Sequence, residues 1–402
     1  MQIIRKWNVI RFFFVGLMLL AVSSASGQTE PSSLFEWPPY LTLQTDESIT
    51  VNWRTKTPFR ESLIVAQPDM NRELVRIMEQ KPSLHHHITV HNLIPGRPYA
   101  YQVRPADSDG FKTEPIQFRM PFGSDELIFF IVSDTHQVLP VPGLNEYVQQ
   151  RTNMVVQAML KDTLSPDFFV SCGDHVEGDV WSNWSAYFRV MHPLTCKIPT
   201  FPVLGNHEYM TGADNYFEAF SFPHGGGRKG WEWYSFKLKN VQLIFLNMNF
   251  EDLDHINRQI AWLKSVLHQN RDKTWKLVFT HQPLYSSSER YSTEMLYQTL
   301  LEPIFLENGV DVVFSGHHHA YQRIQQKGII HIVSAGGGGP MGELKVKKMR
   351  GTVSTREKTL HYLRVRVARD RLVCDVRIVG RENAQEVMDP YDEIFDRFEI
   401  IK

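Results

Sequence analysis

Possible metal ligands recur at the ends of apolar segments in the central part of this 402-residue chain. Five groups appear in order: Asp134-Thr135-His136, Gly173-Asp174, Gly205-Asn206-His207-Glu208, Thr280-His281 and Gly316-His317-His318-His319. Their carboxylate, amide and imidazole donors suit Mn, Fe or Zn. Because strand-end loops of α/β folds share one crevice, we expect the five groups to lie together. The sequence therefore predicts a metal centre assembled from distant segments.

Composition narrows the kind of metal site and the class of protein. Only three cysteines occur beside 17 histidines, so a disulfide scaffold and a Cys-rich zinc or iron–sulfur site are excluded. Lys and Arg number 43 against 44 Asp and Glu, a formal net charge of -1. This balance argues against a general binder of nucleic-acid polymers or of anionic membranes.

Two patterns of hydrophobicity divide the chain into regions. Residues 28–121 show short alternating segments broken by turn residues, which predicts an all-β sandwich. In residues 122–402, apolar runs alternate with helical periods, which predicts an α/β domain. The expected strands of this second region include residues 127–132, 168–171, 241–247 and 276–280.

The first 27 residues have the pattern of a secretory signal peptide. Basic residues precede an apolar run over residues 12–22, and a small-residue stretch follows at 23–27. That run is short for a membrane span, and no later segment approaches one. We therefore expect an exported protein, secreted or periplasmic, without a stable transmembrane segment after signal cleavage.

Three consecutive histidines, His85 to His87, suggest chelation at first sight. In a strand, however, neighbouring side chains point to opposite faces, so three consecutive rings cannot converge on one ion. We interpret the tract as ordinary strand residues.

The order of the strand-end groups resembles that of the calcineurin-like metallophosphoesterases, and with the N-terminal sandwich it is most similar to the purple acid phosphatase branch. The segment around Tyr99 also resembles the corner of a fibronectin type III domain. The resemblance implies a fibronectin III-like β-sandwich followed by an α/β metallophosphoesterase domain. That domain would have two packed mixed sheets flanked by helices, in four αββα layers.

The resemblance also assigns roles to the strand-end residues. It implies two transition-metal ions, Fe, Zn or Mn, with Asp174 as the bridging ligand. The implied ligands of the first ion are Asp134, His136 and His319. Those of the second are Asn206, His281 and His317. His207 matches the catalytic histidine that assists the leaving group, and Glu208 is expected to orient its imidazole.

The chain departs from the purple branch at one position. The iron-binding Tyr of that branch, three residues after the bridging Asp, is replaced here by Glu177. Conversely, His136 stands where the purple enzymes typically lack a ligand. We therefore expect no purple charge-transfer band, and we expect Glu177 to act as a hydrogen-bonding acid near the metals.

The implied substrate is a small phosphorylated molecule, hydrolysed as a phosphate monoester by a metal-activated water. Arg290 is a candidate phosphate contact, and His318 a candidate cleft or outer-shell residue. A phosphodiesterase or nucleotidase on the same scaffold is the alternative. A non-catalytic adhesion protein is a remote alternative, because all seven ligand positions and the catalytic His are filled.

Overall fold

A computed structural model describes residues 34–106, 112–139, 144–220, 222, 225–249, 251–288, 295–383 and 388–402. The expected signal peptide and Arg290 lie outside the described residues. Among the residues described, no helix has both the length and the apolar character needed to cross a bilayer.

The described residues of the N-terminal region form seven strands in two antiparallel sheets. The strands are β1 (Phe35–Thr45), β2 (Ser48–Phe59), β3 (Glu61–Ala66), β4 (Glu73–Met78), β5 (Ser83–Val90), β6 (Pro98–Pro105) and β7 (Ile116–Arg119). One sheet has the order β1-β2-β5 and the other β4-β3-β6-β7. The predicted sandwich is thus confirmed. The sequence did not predict the edge strand β4, because its apolar residues occur as adjacent pairs, Leu74-Val75 and Ile77-Met78, and do not alternate with polar residues.

Local contacts in the sandwich agree with the sequence patterns. The Tyr99 hydroxyl accepts a hydrogen bond from the Ile94 amide at 3.0 Å, which closes the expected corner. Trp53 is buried and stacks on the His86 ring at a centroid distance of 4.8 Å.

Each ring of the histidine tract has its own surroundings. His86 Nδ1 lies 2.7 Å from a Glu79 carboxylate oxygen, and His87 Nδ1 lies 2.7 Å from Asn52 Oδ1. The Arg54 Nε donates to His85 Nε2 at 3.2 Å. The rings therefore point to different partners, as strand alternation requires.

The second region contains thirteen further strands and six α-helices within the described residues. The strands are β8 (Leu127–Val132), β9 (Phe168–Ser171), β10 (Thr200–Pro202), β11 (Tyr234–Leu238), β12 (Val241–Phe245), β13 (Trp275–Phe279), β14 (Val312–Ser315), β15 (Tyr321–Gln326), β16 (Ile329–Ser334), β17 (Thr352–Arg356), β18 (Thr359–Val367), β19 (Arg371–Glu382) and β20 (Met388–Ile401). The helices are α1 (Leu144–Leu160), α2 (Trp181–Thr195), α3 (Asn206–Met210), α4 (Asp214–Ala219), α5 (Leu253–Gln269) and α6 (Met295–Glu307).

These strands form two mixed sheets that pack face to face. The order is β10-β9-β8-β18-β19-β20 in one sheet and β11-β12-β13-β14-β16-β15-β17 in the other. Strands β8, β9 and β10 are parallel to one another, as are β12, β13, β14 and β16. Phe129 and Phe201 of the first sheet contact Phe279 and Phe245 of the second.

Helices cover the outer faces of the two sheets. Helix α1 packs on β18 and β19, whereas α5 and α6 share a hydrophobic cluster with β13 and β14. The predicted four-layer α/β domain is confirmed. The sequence pattern indicates only residues 398–401 as a closing strand, whereas β20 begins at Met388; residues 389–397 are mainly exposed and polar on the sheet edge and so lack an apolar pattern.

The sandwich packs on the α/β domain through β1 and α2. The rings of Tyr40 and Phe188 stack at 4.1 Å, and the Tyr101 hydroxyl donates to the Cys196 carbonyl at 3.0 Å. Strand β7 ends at Arg119 and β8 begins at Leu127, so the boundary expected at residue 121 falls in the connecting segment.

Candidate metal centre

The five strand-end groups meet at the carboxyl ends of parallel strands of the two sheets. Asp134 follows β8 and Asp174 follows β9, while Asn206 opens α3 shortly after β10. His281 follows β13, and His317 follows β14. Parallel strands place their carboxyl ends at one edge, so segments distant in sequence become neighbours there.

Asp134, His136 and His319 form the first group of donors. Their ligand atoms all lie within 4.8 Å of one another. The two histidine Nε2 atoms are 3.0 Å apart, and His319 Nε2 lies 3.3 Å from Asp134 Oδ1. These are the three residues that the resemblance assigns to the first ion.

Asp174, His281 and His317 form the second group, again with ligand atoms within 4.8 Å. His281 Nε2 is 3.0 Å from Asp174 Oδ2 and also 3.0 Å from Asn206 Oδ1. The structure thus brings together all the residues predicted for the second ion.

One oxygen atom faces both groups. Asp174 Oδ2 lies 3.0 Å from His281 Nε2 and 3.5 Å from His136 Nε2. The other oxygen, Oδ1, accepts the His207 amide at 3.0 Å, which holds the carboxylate in this orientation. A carboxylate placed in this way suits a bridge between two ions.

Three imidazoles are held by contacts at their Nδ1 atoms. His281 Nδ1 lies 2.7 Å from the Cys172 carbonyl, His319 Nδ1 contacts the Pro340 carbonyl, and His136 Nδ1 lies 2.8 Å from a Glu177 carboxylate oxygen. Such partners fix the tautomer and leave Nε2 for a metal. The two carbonyl contacts were not predicted, because any residue type can supply a backbone carbonyl.

The loops that carry the donors adopt unusual backbone conformations. Asp134, His136, Asp174 and His317 have φ of 60°, 43°, 48° and 68°. A left-handed backbone conformation raises the free energy of a non-glycine residue, and such strained residues concentrate at functional sites. The loops of Gly205 and Asp174 pack so closely that only glycine fits at position 205. A Cβ at Gly205 would lie 2.2 Å from the Asp174 amide nitrogen.

The buried acids and imidazoles shift one another's pKa values. Burial alone would raise the pKa of Asp174, but the imidazoles of His281 and His136 bring the pKa below its ordinary value. Burial would lower the pKa of His281, yet the Asp174 charge and hydrogen bond raise that pKa to about 9. A metal cation must displace such protons, so metal affinity should fall as the pH falls.

His207 stands beside the two groups and is more accessible than they are. Its side chain is 28% exposed, whereas that of His281 is fully buried. Nδ1 lies 3.1 Å from the Glu177 carbonyl, which can only accept, so Nδ1 carries a proton and donates it. Nε2 then remains for a substrate, 4.0 Å from Asp174 Oδ2.

Glu177, not Glu208, faces the imidazole of His207. The Glu177 carboxylate lies 3.5 Å from His207 Nδ1 in addition to its contact with His136. The fully buried Glu208 carboxylate instead accepts the amides of Asp174, Val176 and Gly205 at 3.0–3.2 Å. The expectation that Glu208 orients His207 is therefore wrong. Glu208 ties the Asp174 loop to the Asn206 loop.

Of the two candidate substrate contacts, His318 and Arg290, the structure describes only His318. The His318 side chain is only 2% exposed, because it turns inward while its neighbours face the centre. This places His318 behind the donors instead of on a substrate-contacting surface. Arg290 lies outside the described residues, so its candidate role stays a prediction.

The donor set fits two transition-metal ions. Each group combines carboxylate oxygen with imidazole nitrogen, the mixture that suits Mn, Fe and Zn. Asp134 and Asp174 are almost fully buried close to each other, and uncompensated burial of two carboxylates would be costly.

Comparison with known proteins identifies a phosphoesterase family whose model matches the central part of this chain. The model of the family called calcineurin-like phosphoesterase matches residues 127–321. This span includes the donor residues from Asp134 to His319. The chain therefore contains a calcineurin-like metallophosphoesterase domain, preceded by a β-sandwich.

Its curated relatives include purple acid phosphatases of Arabidopsis thaliana. Purple acid phosphatase 23 is 34% identical over 36% of this chain and 33% of its own length. Purple acid phosphatase 22 is 30% identical over 50% of this chain and 51% of its own length. The chain thus spans between a third and about half of the length of these relatives.

Solved structures show the same fold at low sequence identity. Purple acid phosphatase PPD1 from yellow lupin (Lupinus luteus) seeds superposes with a TM-score of 0.71 at 16% identity, covering 90% of this chain and 74% of the lupin chain. PhoD superposes with a TM-score of 0.70 at 11% identity, covering 94% and 92%.

Proposed function

We propose that the protein is a metal-dependent phosphoric ester hydrolase that acts on phosphate monoesters. The observation that carries this proposal is the position of Asp174 Oδ2 between two complete donor groups. The phosphoesterase domain and the relatives named as acid phosphatases support the same reaction class.

In this proposal Asp134, His136 and His319 hold one ion, and Asn206, His281 and His317 hold the other, with Asp174 shared. Two ions held by these residues would lower the pKa of a water and neutralise charge at the phosphoryl group. The protein keeps the donors in place through Glu177, Glu208 and the Cys172 carbonyl.

We propose that His207, protonated at both ring nitrogens when it acts, transfers its Nε2 proton to the leaving-group oxygen and keeps its Nδ1 proton on the Glu177 carbonyl. Its Nδ1 is engaged by the Glu177 carbonyl, so Nε2, 4.0 Å from Asp174 Oδ2, is the nitrogen left for a substrate. Exposure of 28% gives Nε2 access to a bound ester while the imidazole remains held. A positioned general acid contributes about 10²–10⁴-fold to the rate.

We also propose that residues 1–27 are a signal peptide and that the protein is secreted or periplasmic. The charge and hydrophobicity pattern of this segment supports export. The domain division at residues 121 and 122 is proposed on the change from sandwich strands to α/β strands.

Phosphate monoesters should be hydrolysed better than diesters. With the metal-loaded full chain, we expect kcat/KM for p-nitrophenyl phosphate to exceed that for bis-(p-nitrophenyl) phosphate by about tenfold or more, equivalent to roughly 1.4 kcal/mol. A phosphate-release screen over sugar phosphates, nucleotides and phytate would then identify the substrate class. A clear preference for the diester would establish the alternative phosphodiesterase function, and no turnover of any ester would remove the proposal.

The iron-loaded protein should lack the intense visible band of the purple enzymes. Glu177 occupies the position of their tyrosine, and its carboxylate contacts His136 Nδ1 at 2.8 Å, so no phenolate stands there. Absorption spectra should be recorded with ferric iron, and the iron content of the same sample should be measured. An intense band in an iron-containing sample would contradict this assignment of Glu177.

A further inference from the structure

A second group of donors lies outside the proposed catalytic centre. We propose that Glu232, Glu251 and His255, here called the outer cluster, bind a third divalent transition-metal ion such as Zn²⁺. Their ligand atoms lie within 4.8 Å of one another. His255 Nε2 is 3.2 Å from Glu232 Oε1 and 3.6 Å from Glu251 Oε2.

The spacing fits donors arranged around an ion. Tetrahedral zinc with bonds of about 2.0–2.1 Å separates its ligand atoms by roughly 3.3–3.4 Å, close to both distances. Carboxylate oxygen and imidazole nitrogen are common zinc ligands. The imidazole nitrogen and the two carboxylate oxygens are therefore close enough to coordinate one ion without movement of the backbone.

The His255 ring is buried, and Nε2 approaches two carboxylates without forming a hydrogen bond to either. The residue is 2% exposed, and neither ring nitrogen makes a hydrogen bond within the part of the chain that the structure describes. Burial of an unsatisfied polar group costs about 1–3 kcal/mol. Coordination through Nε2 would satisfy the nitrogen that faces the two carboxylates.

The charge of the cluster favours a cation. The Glu232 side chain is fully buried, and its oxygens accept from two neutral donors, the Asn247 amide group and the Arg228 backbone amide, both at 2.8 Å. The Arg228 guanidinium comes only to 4.0 Å, and it also donates to the Gly212 carbonyl. Adding Glu251 places a second negative charge beside a buried one, which a divalent ion would offset.

The outer cluster is connected to the loop that carries His207. The Tyr209 hydroxyl donates to Glu251 Oε2 at 3.2 Å, and Tyr209 belongs to the same short helix, α3, as Asn206 and His207. An ion at the outer cluster would therefore hold Glu251 in position against Tyr209 of this helix. The site is accessible to ions because Glu251 is 49% exposed.

The test is the number of zinc ions bound by the full chain. Equilibrium dialysis against graded free Zn²⁺, with metal analysis, should show three ions per chain in the wild type. Glu251→Gln and His255→Gln should each weaken one binding event by more than the about 10–100-fold typical of an outer-shell partner. Glu251→Gln keeps the test available if His255→Gln does not fold, because its side chain is half exposed.

The control is Asp254→Asn, which removes a neighbouring carboxylate that is 77% exposed and outside the cluster. It should retain three ions. A wild-type value of two would overturn the third site and leave the proposed function intact. Three ions in both cluster variants would likewise overturn the assignment. Asp174→Asn should lose the two ions of the proposed catalytic centre and keep the one ion at the outer cluster.

Discussion

Asp174→Asn should lower metal retention and phosphate release together. An amide has no negative charge to share between the groups that meet at Oδ2, 3.0 Å from His281 Nε2 and 3.5 Å from His136 Nε2. Bound metal contributes several kcal/mol of transition-state stabilisation, and each 1.36 kcal/mol is tenfold in rate, so we expect a loss of about 10³-fold or more in kcat/KM. Metal analysis and initial rates on the same sample would measure both effects.

Asp179→Asn is a matched control for this substitution. Asp179 is also buried and follows Asp174 by five residues, but its carboxylate accepts from the Trp184 indole and from backbone amides of α4. The control should change stability while metal content stays at the wild-type value. Full metal content and activity in Asp174→Asn would show that the bridging role is misassigned.

His207→Ala should separate chemistry from metal binding. The His207 imidazole lies beside the donor groups, with Nε2 4.0 Å from Asp174 Oδ2, so its removal should leave the ions in place. We expect kcat to fall by about 10²–10⁴-fold, the contribution of a positioned general acid. Metal analysis and steady-state kinetics would measure the two quantities.

The leaving group provides an internal control for the His207 prediction. An alkyl phosphate needs protonation of its poor leaving group, so the loss should be larger for it than for p-nitrophenyl phosphate. His268→Ala, at an exposed position near the end of α5, should change neither rate. An equal loss for both esters would assign His207 to positioning instead of proton transfer, and loss of metal would make it a ligand.

Much of the centre could be predicted because its chemistry follows directly from residue types at strand ends. The expected strands 127–132 and 168–171 were confirmed, and Asp134 and Asp174 follow them directly. His317 and His319 reach the centre while His318 turns inward, but these residues follow the end of β14 and His317 has a φ of 68°, so the loop conformation decides this difference. Residue type and position after a predicted strand were therefore sufficient to identify the donors.

Contacts between distant segments could not be predicted in the same way. The Glu208 carboxylate was expected at His207, but it binds amides of the Asp174 loop instead, more than 30 residues away in sequence. Edge strand β4 has apolar residues in adjacent pairs, and the first part of β20 is mainly exposed and polar, so neither shows the period-two pattern of a strand. The outer cluster joins residues 232, 251 and 255, which no sequence pattern connects.

The sequence by itself determined the inventory of donors, their order along the chain and their location after apolar strands. Those properties depend on residue type and local periodicity, which a single chain displays directly. Only the tertiary structure decided which carboxylate oxygen faces both donor groups, which carbonyls hold the imidazoles, and which glutamate stands beside His207. These depend on loop conformation and on the packing of two sheets, where displacements smaller than a side chain change the partner of every polar atom.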